Sequence, residues 1–235
     1  MTKPVQKRFE RFFAEEAIRS LGVGWIIHEE RDPLDFIVAD DDHHFGLDVV
    51  DIFGGAQDQY GSVTKRAESD MQKQLNNLRR HYEDQTGVTL TVKFLGRVAP
   101  DALARVVPEL VALNLAAKPL AYQTTIEILV GLEAPLKLYV TKSIRPEWFA
   151  MGDRAGFVTP NPDPIIAAAI AKKSAKLEQY KSLVGCDVRL LLVANRIQNS
   201  GKIGCKTDAA FDLHGFKAVY FFPYPEDAFV LREAI

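Results

Sequence analysis

Between positions 6 and 20 the apolar residues Phe9, Phe12, Phe13 and Ala17 recur at three- and four-residue spacing, with Gly22 just beyond. That spacing predicts an amphipathic helix. Three strand-like runs follow, 25–28, 34–39 and 45–53, separated by Asp32-Pro33 and by Asp40, Asp41 and Asp42. Connectors this short predict an antiparallel meander. A glycine-marked loop at 54–61 leads to Ser62, a suitable N-cap for a long helix striped by Val63, Ala67, Met71, Leu75, Leu78 and Tyr82. Beyond it, 88–95, 124–130 and 136–140 read as strands and 101–117 as a helix interrupted near Pro108. The stretch 143–162, with Pro146, Gly152, Gly156, Pro160 and Pro162, reads as a long connector, with a lid as the alternative. A helix over 163–183 precedes the strand 188–194, whose near-continuous hydrophobicity suits a central place in a sheet, and 218–222 is a last strand. The pattern predicts an α/β protein of the mixed-sheet α+β kind, a central sheet flanked by helices, as a single domain over residues 1–235.

Composition narrows the class without choosing a function. At 235 residues and 47% apolar content the chain can bury a substantial core. No run approaches the roughly 18 apolar residues of a membrane span, and the amino terminus has no apolar signal core. No membrane association and a cytoplasmic location are therefore expected. Cys186 and Cys205 lack paired Cys-x-x-Cys spacing and read as free thiols. Twenty-nine basic residues against 31 acidic ones give a net charge of −2, which leaves nucleic acid open as a partner because a balanced total can hide a basic face.

Candidate chemistry concentrates in residues 29–51, which hold nine carboxylates and one arginine, Arg31. Asp40, Asp41 and Asp42 suit a turn, where carboxylates are solvated and cap backbone amides. His43 and His44 beside them lack metal-ligand spacing and read as loop residues. Asp48 differs, because it interrupts the apolar strand Leu47-Asp48-Val49-Val50. A carboxylate inside a core face must be paired, protonated or bound to a cation. Asp35 opens the preceding strand, so a hairpin brings the two acids side by side, where a hard divalent cation would relieve their repulsion. Glu16 falls within the stripe of the first helix. Lys173 falls within the stripe Ile166, Ala169, Ile170, Leu177, Tyr180 of the helix at 163–183 and so points toward the sheet.

Glu16, Asp35 in Pro33-Leu34-Asp35-Phe36-Ile37-Val38, and Asp48 in Gly46-Leu47-Asp48-Val49-Val50 resemble, in order, the helix acid and two motif acids of the restriction-endonuclease-like PD-(D/E)xK nuclease superfamily. The segment from Lys172 and Lys173 through Val188-Arg189-Leu190 resembles the lysine-bearing helix and apolar strand of some predicted nucleases of that group. Val50 stands where the motif lysine normally falls, which leaves Lys173 as first replacement and Lys65 as second. The resemblance implies a restriction-endonuclease-like core of helix, meander, helix and strand. It also implies hydrolysis of nucleic acid, most readily DNA, with Mg²⁺ or Mn²⁺ on Asp35, Asp48 and Glu16 and with catalytic support from Lys173. Lys65, Arg66, Lys73, Lys172 and Lys176 are then the expected nucleic-acid contacts, and a homodimer is admitted. Two other readings stand beside this one: a catalytically degenerate nuclease fold that binds DNA or protein, and a small-molecule enzyme using the acidic pocket.

Overall fold

The computed structural model describes residues 4–30, 32–41, 43–96, 98–129, 135–151, 158–159 and 161–234. Arg31, Asp42, Val130, Gly152, Gly156 and Pro160, which figure in the reading above, lie outside the described residues. In chain order the elements begin with α1 (Pro4–Leu21), β1 (Ile26–Glu30), β2 (Phe36–Asp40), β3 (His43–Asp51), β4 (Gln57–Asp58) and β5 (Gly61–Ser62). They continue with α2 (Val63–Thr86), β6 (Leu90–Leu95), α3 (Pro100–Ala112), β7 (Gln123–Ile128), β8 (Leu136–Lys142) and β9 (Glu147–Ala150). The last are α4 (Asp163–Ser174), α5 (Leu177–Val184), β10 (Val188–Val193), β11 (Ala210–Phe211), β12 (Ala218–Phe222), β13 (Phe229–Val230) and β14 (Arg232–Glu233). They form two compact units, one of Met1–Ser62 with Phe157–Ile235, the other of Val63–Gly156.

The first unit is a mixed α/β layer structure on a six-stranded sheet of order β1-β2-β3-β10-β12-β13. The first three strands are the antiparallel meander, while β10 runs parallel to both β3 and β12. Period-two alternation divides the apolar residues between two cores. Phe36, Val38, Phe45, Leu47, Val49, Leu191 and Val193 pack with Phe13, Ala14 and Ala17 of α1. On the opposite face Leu190, Leu192, Val219 and Phe221 pack with Ile166 and Ile170 of α4 and with Leu177 and Tyr180 of α5. Because β10 is covered on both faces, its sequence reads as a near-continuous apolar run.

One charged side chain inside that run, Arg189, is held by a bidentate pair to Asp187, both contacts at 2.9 Å, and lies 3.7 Å from the ring centroid of Phe45. His43 adds a 3.0 Å contact to the same aspartate, so His43 and His44 open β3 rather than lying in a loop.

The second unit is a four-stranded sheet of order β7-β8-β6-β9 with α2 and α3 against one face. Its core comprises Leu90, Val92, Phe94, Leu136, Leu138, Val140 and Trp148 from the strands, with Leu75, Tyr82, Val106 and Leu110 from the helices. Helix α3 passes through Pro108 rather than breaking there. Its buried Ala102, Leu103, Val106, Val107 and Leu110 outweigh the roughly 3 kcal/mol that a mid-helix proline costs.

Three further expectations are corrected. The stretch 143–162 contains the strand β9, which adds parallel to β6. The helix expected over 163–183 is two, because the Lys176 N–H bonds to the Lys173 carbonyl and tightens the chain between them. The inward face of α1 is Phe13, Ala14 and Ala17, whereas Phe9 and Phe12 are 58% and 40% exposed.

Leu192 is fully buried in the central strand. Leu192→Ala should therefore lower the urea unfolding free energy by about 2–5 kcal/mol, and an unchanged midpoint would show that β10 is not the centre of this core.

Candidate active site

Register builds the site. Phe36 pairs with Leu47 across β2 and β3, and extending that register by one residue sets Asp35 opposite Asp48. The Val49 N–H donates to Asp35 Oδ2 at 2.9 Å, which fixes the carboxylate against the neighbouring strand. Leu47 and Val49 belong to the core beneath α1, so alternation turns Asp48 toward α4 and α5. Both acids are buried, Asp48 to 1% and Asp35 to 8% exposure, and they lie close enough for Asp35 to raise the proton affinity of Asp48.

Two lysines meet this pair from different helices. Lys173 Nζ lies 2.7 Å from Asp48 Oδ2, and the Tyr180 hydroxyl makes a longer 3.4 Å contact with the same oxygen. From α1, Lys7 Nζ lies 3.2 Å from Asp35 Oδ1 and 3.6 Å from Asp32 Oδ1. One helical turn on from Lys7, Glu10 joins them. Its Oε2 is buried with no hydrogen-bond partner among the described residues, while Oε1 accepts a bond from Gln6.

These contacts set the electrostatics. Burial pushes the Asp48 carboxyl up to about 7; Lys173 opposes the rise and Asp35 reinforces it. Burial, then the charge of Asp35, also raises Glu10 above the ordinary carboxylate range. Burial works against the charge on Lys7, yet Asp35, Glu10 and Asp32 together hold its ammonium above the ordinary lysine value. Burial, followed by Asp48 and Asp35, pushes the Tyr180 phenol well up, so that it acts as a donor at neutral pH. Among the described residues the cluster sets Asp35, Asp48 and Glu10, with Asp32 at its exposed edge, against the ammonium groups of Lys7 and Lys173.

Of the residues singled out from sequence, Asp35, Asp48 and Lys173 come together. Glu16 does not join them; it is paired with Arg19 at 2.5 Å, because the packing face of α1 is centred on Phe13, Ala14 and Ala17, away from Phe9 and Phe12. Lys172 and Lys176 are exposed at the end of α4. Lys65, Arg66 and Lys73 lie on α2 in the other unit, where Lys73 pairs with Asp70 at 2.8 Å.

Sequence reasoning missed Lys7, Glu10 and Tyr180. The signal was present in the series 7, 10, 14, 17 and 21, which continues the buried Ala14–Ala17 face back toward the amino terminus at helical spacing.

The donor set suits a hard divalent cation by its chemistry: two apposed aspartates and an orphaned glutamate oxygen. Among the described residues no three His, Cys, Asp or Glu side chains already stand as a ligand group, and the lysines supply the positive charge of the arrangement as it is. In comparisons with known proteins, no family model, no curated protein and no solved structure matches the chain.

The sign of the pH dependence follows from the acid's ordinary value of 3.8. The unfolded chain releases the proton of residue 48 near that value and the folded chain only near 7, so between the two the native state binds the extra proton and loses stability as pH rises. Asp48→Asn should remove that component, flattening the decline in urea unfolding free energy from about pH 4 to about pH 7. An Asp48→Asn curve parallel to the parent's would show that Asp48 titrates normally.

Proposed function

We propose that this protein is a divalent-metal-dependent phosphodiesterase that cleaves DNA, built on a restriction-endonuclease-like core in its first unit. The observation that carries this reading is the buried Asp35–Asp48 pair met at 2.7 Å by Lys173 from another element. The order of elements supports it: α1, the meander β1-β2-β3, and then β10 laid parallel to β3 after the helices α4 and α5.

In this reading Asp35, Asp48 and Glu10 would hold Mg²⁺ or Mn²⁺, with Glu10 replacing the Glu16 that the resemblance implies. The bound ion would lower the pKa of a water and offset charge on the phosphate. Hydrolysis joins a water oxygen to phosphorus, breaks one P–O ester bond and returns a proton to the leaving oxygen. Lys173 stands beside Asp48, where an ammonium can stabilise the added negative charge of a pentacovalent phosphorane. Tyr180 adds a long hydrogen bond to the Asp48 oxygen that Lys173 contacts at 2.7 Å. Glu10 offers a buried acceptor oxygen to the attacking water.

A second reading, a nuclease fold that has kept binding and lost cleavage, is favoured by Val50 in the motif lysine's place and by Lys7 and Lys173 already neutralising the pair.

Incubation of plasmid and labelled oligonucleotide with the protein and Mg²⁺ or Mn²⁺ separates the two. Asp35→Ala and Asp48→Ala should each reduce cleavage by at least about 100-fold, Glu10→Gln should also impair it, and Glu16→Gln should cleave as the parent does. Cleavage that survives Asp48→Ala would place the chemistry elsewhere, and DNA binding with no cleavage in either metal would establish the second reading.

Replacing the lysine probes the same site through stability. Lys173→Met leaves a buried carboxylate without its cation, so it should cost about 1–3 kcal/mol at pH 8 and less at pH 5, where Asp48 carries a proton. Adding Asp48→Asn should restore part of that loss in the same urea titration; additive losses would mean that the pair is not coupled.

A further inference from the structure

In the second unit one face of the four-stranded sheet packs on α2 and α3, and the alternate residues of the same strands stand on the other face. Register aligns those residues in rows. Tyr139 of β8 pairs with Lys93 of β6, which pairs on its other side with Phe149 of β9. Thr125 of β7 extends the row beyond Tyr139. The next row is Gln123, Thr141 and Thr91, ending at Glu147. None of these side chains belongs to the unit's core.

Together they line a shallow concavity of about 570 Å³, with Tyr139 45% exposed and Phe149 half-buried. Among the described residues no carboxylate lines it; Glu147 stands at the rim, and Glu127 at the other rim is paired with Lys137 at 2.8 Å. Threonines on a half-solvated strand need no ligand to explain them, because β-branched side chains suit that surface. A lysine set between two aromatic rings across three adjacent strands is different: it offers two π-faces and one cation in a single line.

We propose that this open sheet face binds single-stranded DNA, with unpaired bases stacked on Tyr139 and Phe149 and a backbone phosphate held by Lys93. Strands lie roughly 4.8 Å apart, so the two rings stand about 10 Å from each other with the ammonium between them, a spacing a splayed single strand can follow and a stacked duplex cannot. The hydroxyls of Thr125 and Thr141 and the amide of Gln123 supply donors and acceptors for base edges, while the Thr91 hydroxyl donates to the Arg145 carbonyl at 2.9 Å and keeps only its acceptor side for a ligand.

Charge complementarity points the same way. The second unit carries thirteen basic and ten acidic residues, whereas the first carries sixteen basic and twenty-one acidic, so the polyanion's natural seat is the unit without the carboxylate pair. The choice of DNA over RNA rests on the proposed phosphodiesterase reading; the stacking site itself does not.

Fluorescence anisotropy of a fluorescein-labelled thymidine oligonucleotide of roughly a dozen residues, titrated with the full chain in EDTA, tests this without any cleavage. Tyr139→Ala and Phe149→Ala should each weaken binding roughly tenfold, and Tyr139→Phe, which keeps the ring, should bind as the parent does. Lys93→Ala should reduce the slope of log Kd against log salt by about 0.7. Circular dichroism on each variant separates lost binding from lost folding.

Alanine variants that remain folded and bind at parental strength would overturn the proposal, as would no binding by the parent, tighter binding of the matching RNA, or equal binding of a duplex. Binding that depends on the two rings while no substrate is cut would sink the phosphodiesterase reading alone. Cleavage that persists with no effect of Tyr139→Ala or Phe149→Ala would sink this inference alone.

Discussion

Two carboxylates buried side by side at the edge of a hairpin constrain much of the first unit. Burial of an isolated ion costs several kcal/mol even after relaxation, and apposing two of one sign adds repulsion. Asp35 and Asp48 are tolerated because counter-charges arrive from two layers: Lys7 from α1 at 3.2 Å and Lys173 from α4 at 2.7 Å. The helices must therefore sit so that their lysines reach Asp35 just before β2 and Asp48 within β3, and the apolar cores on both faces of the sheet provide the adhesion that holds them there. Lysine suits the task, since its stem packs along apolar surface while the ammonium extends to the acid.

A second buried ionic group in the same unit shows what a purely structural solution looks like. Asp187 meets Arg189 in a bidentate pair, with His43 alongside, and these partners hold its carboxyl below the ordinary range although burial opposes them. Asp48 has a lysine at 2.7 Å and still rises to about 7, because burial and a second acid outweigh that lysine. The first aspartate is satisfied by its neighbours; the second keeps a proton affinity close to neutrality and retains capacity for another partner. Carboxyl groups perturbed in this direction by burial and a like charge are those from which acid, base or metal chemistry is built.

How much of this was legible in the sequence depended on which signals were local. Alternation and short connectors gave the meander and the thirteen-residue step from Asp35 to Asp48, and hydrophobic continuity placed β10 centrally. Lys173 was legible as a charge within an apolar stripe. Glu10 was not, because the aromatic residues Phe9 and Phe12 dominated the helical wheel, yet both are substantially exposed and Phe12 packs edge-on to Tyr224 from a distant part of the chain. Side-chain size misled where the packing partner was remote in sequence. Strand β9 was hidden for a related reason: its four residues sit among prolines and glycines, and only pairing with β6 makes them a strand. The break between α4 and α5 left no mark, since both αR residues at the junction are compatible with a continuous helix.

The position of the lysine carries the argument furthest. Asp48 and Val50 are two residues apart on one strand and so face the same side, where Val50 packs at the margin of the core formed by α4, α5 and β10. A lysine at that position would have to bury its stem in the same core and bring an ammonium to an acid that Lys173 already contacts. Delivering the charge from α4 frees residue 50 for apolar packing and ties the acid to a different layer of the fold. The electrostatic requirement of the carboxylate pair is thereby met by tertiary structure rather than by strand-local spacing. In the proposed reaction the ammonium's place depends on how α4 is docked, so substitutions at Ile166 or Ile170, buried beneath that helix, bear on the site without touching it.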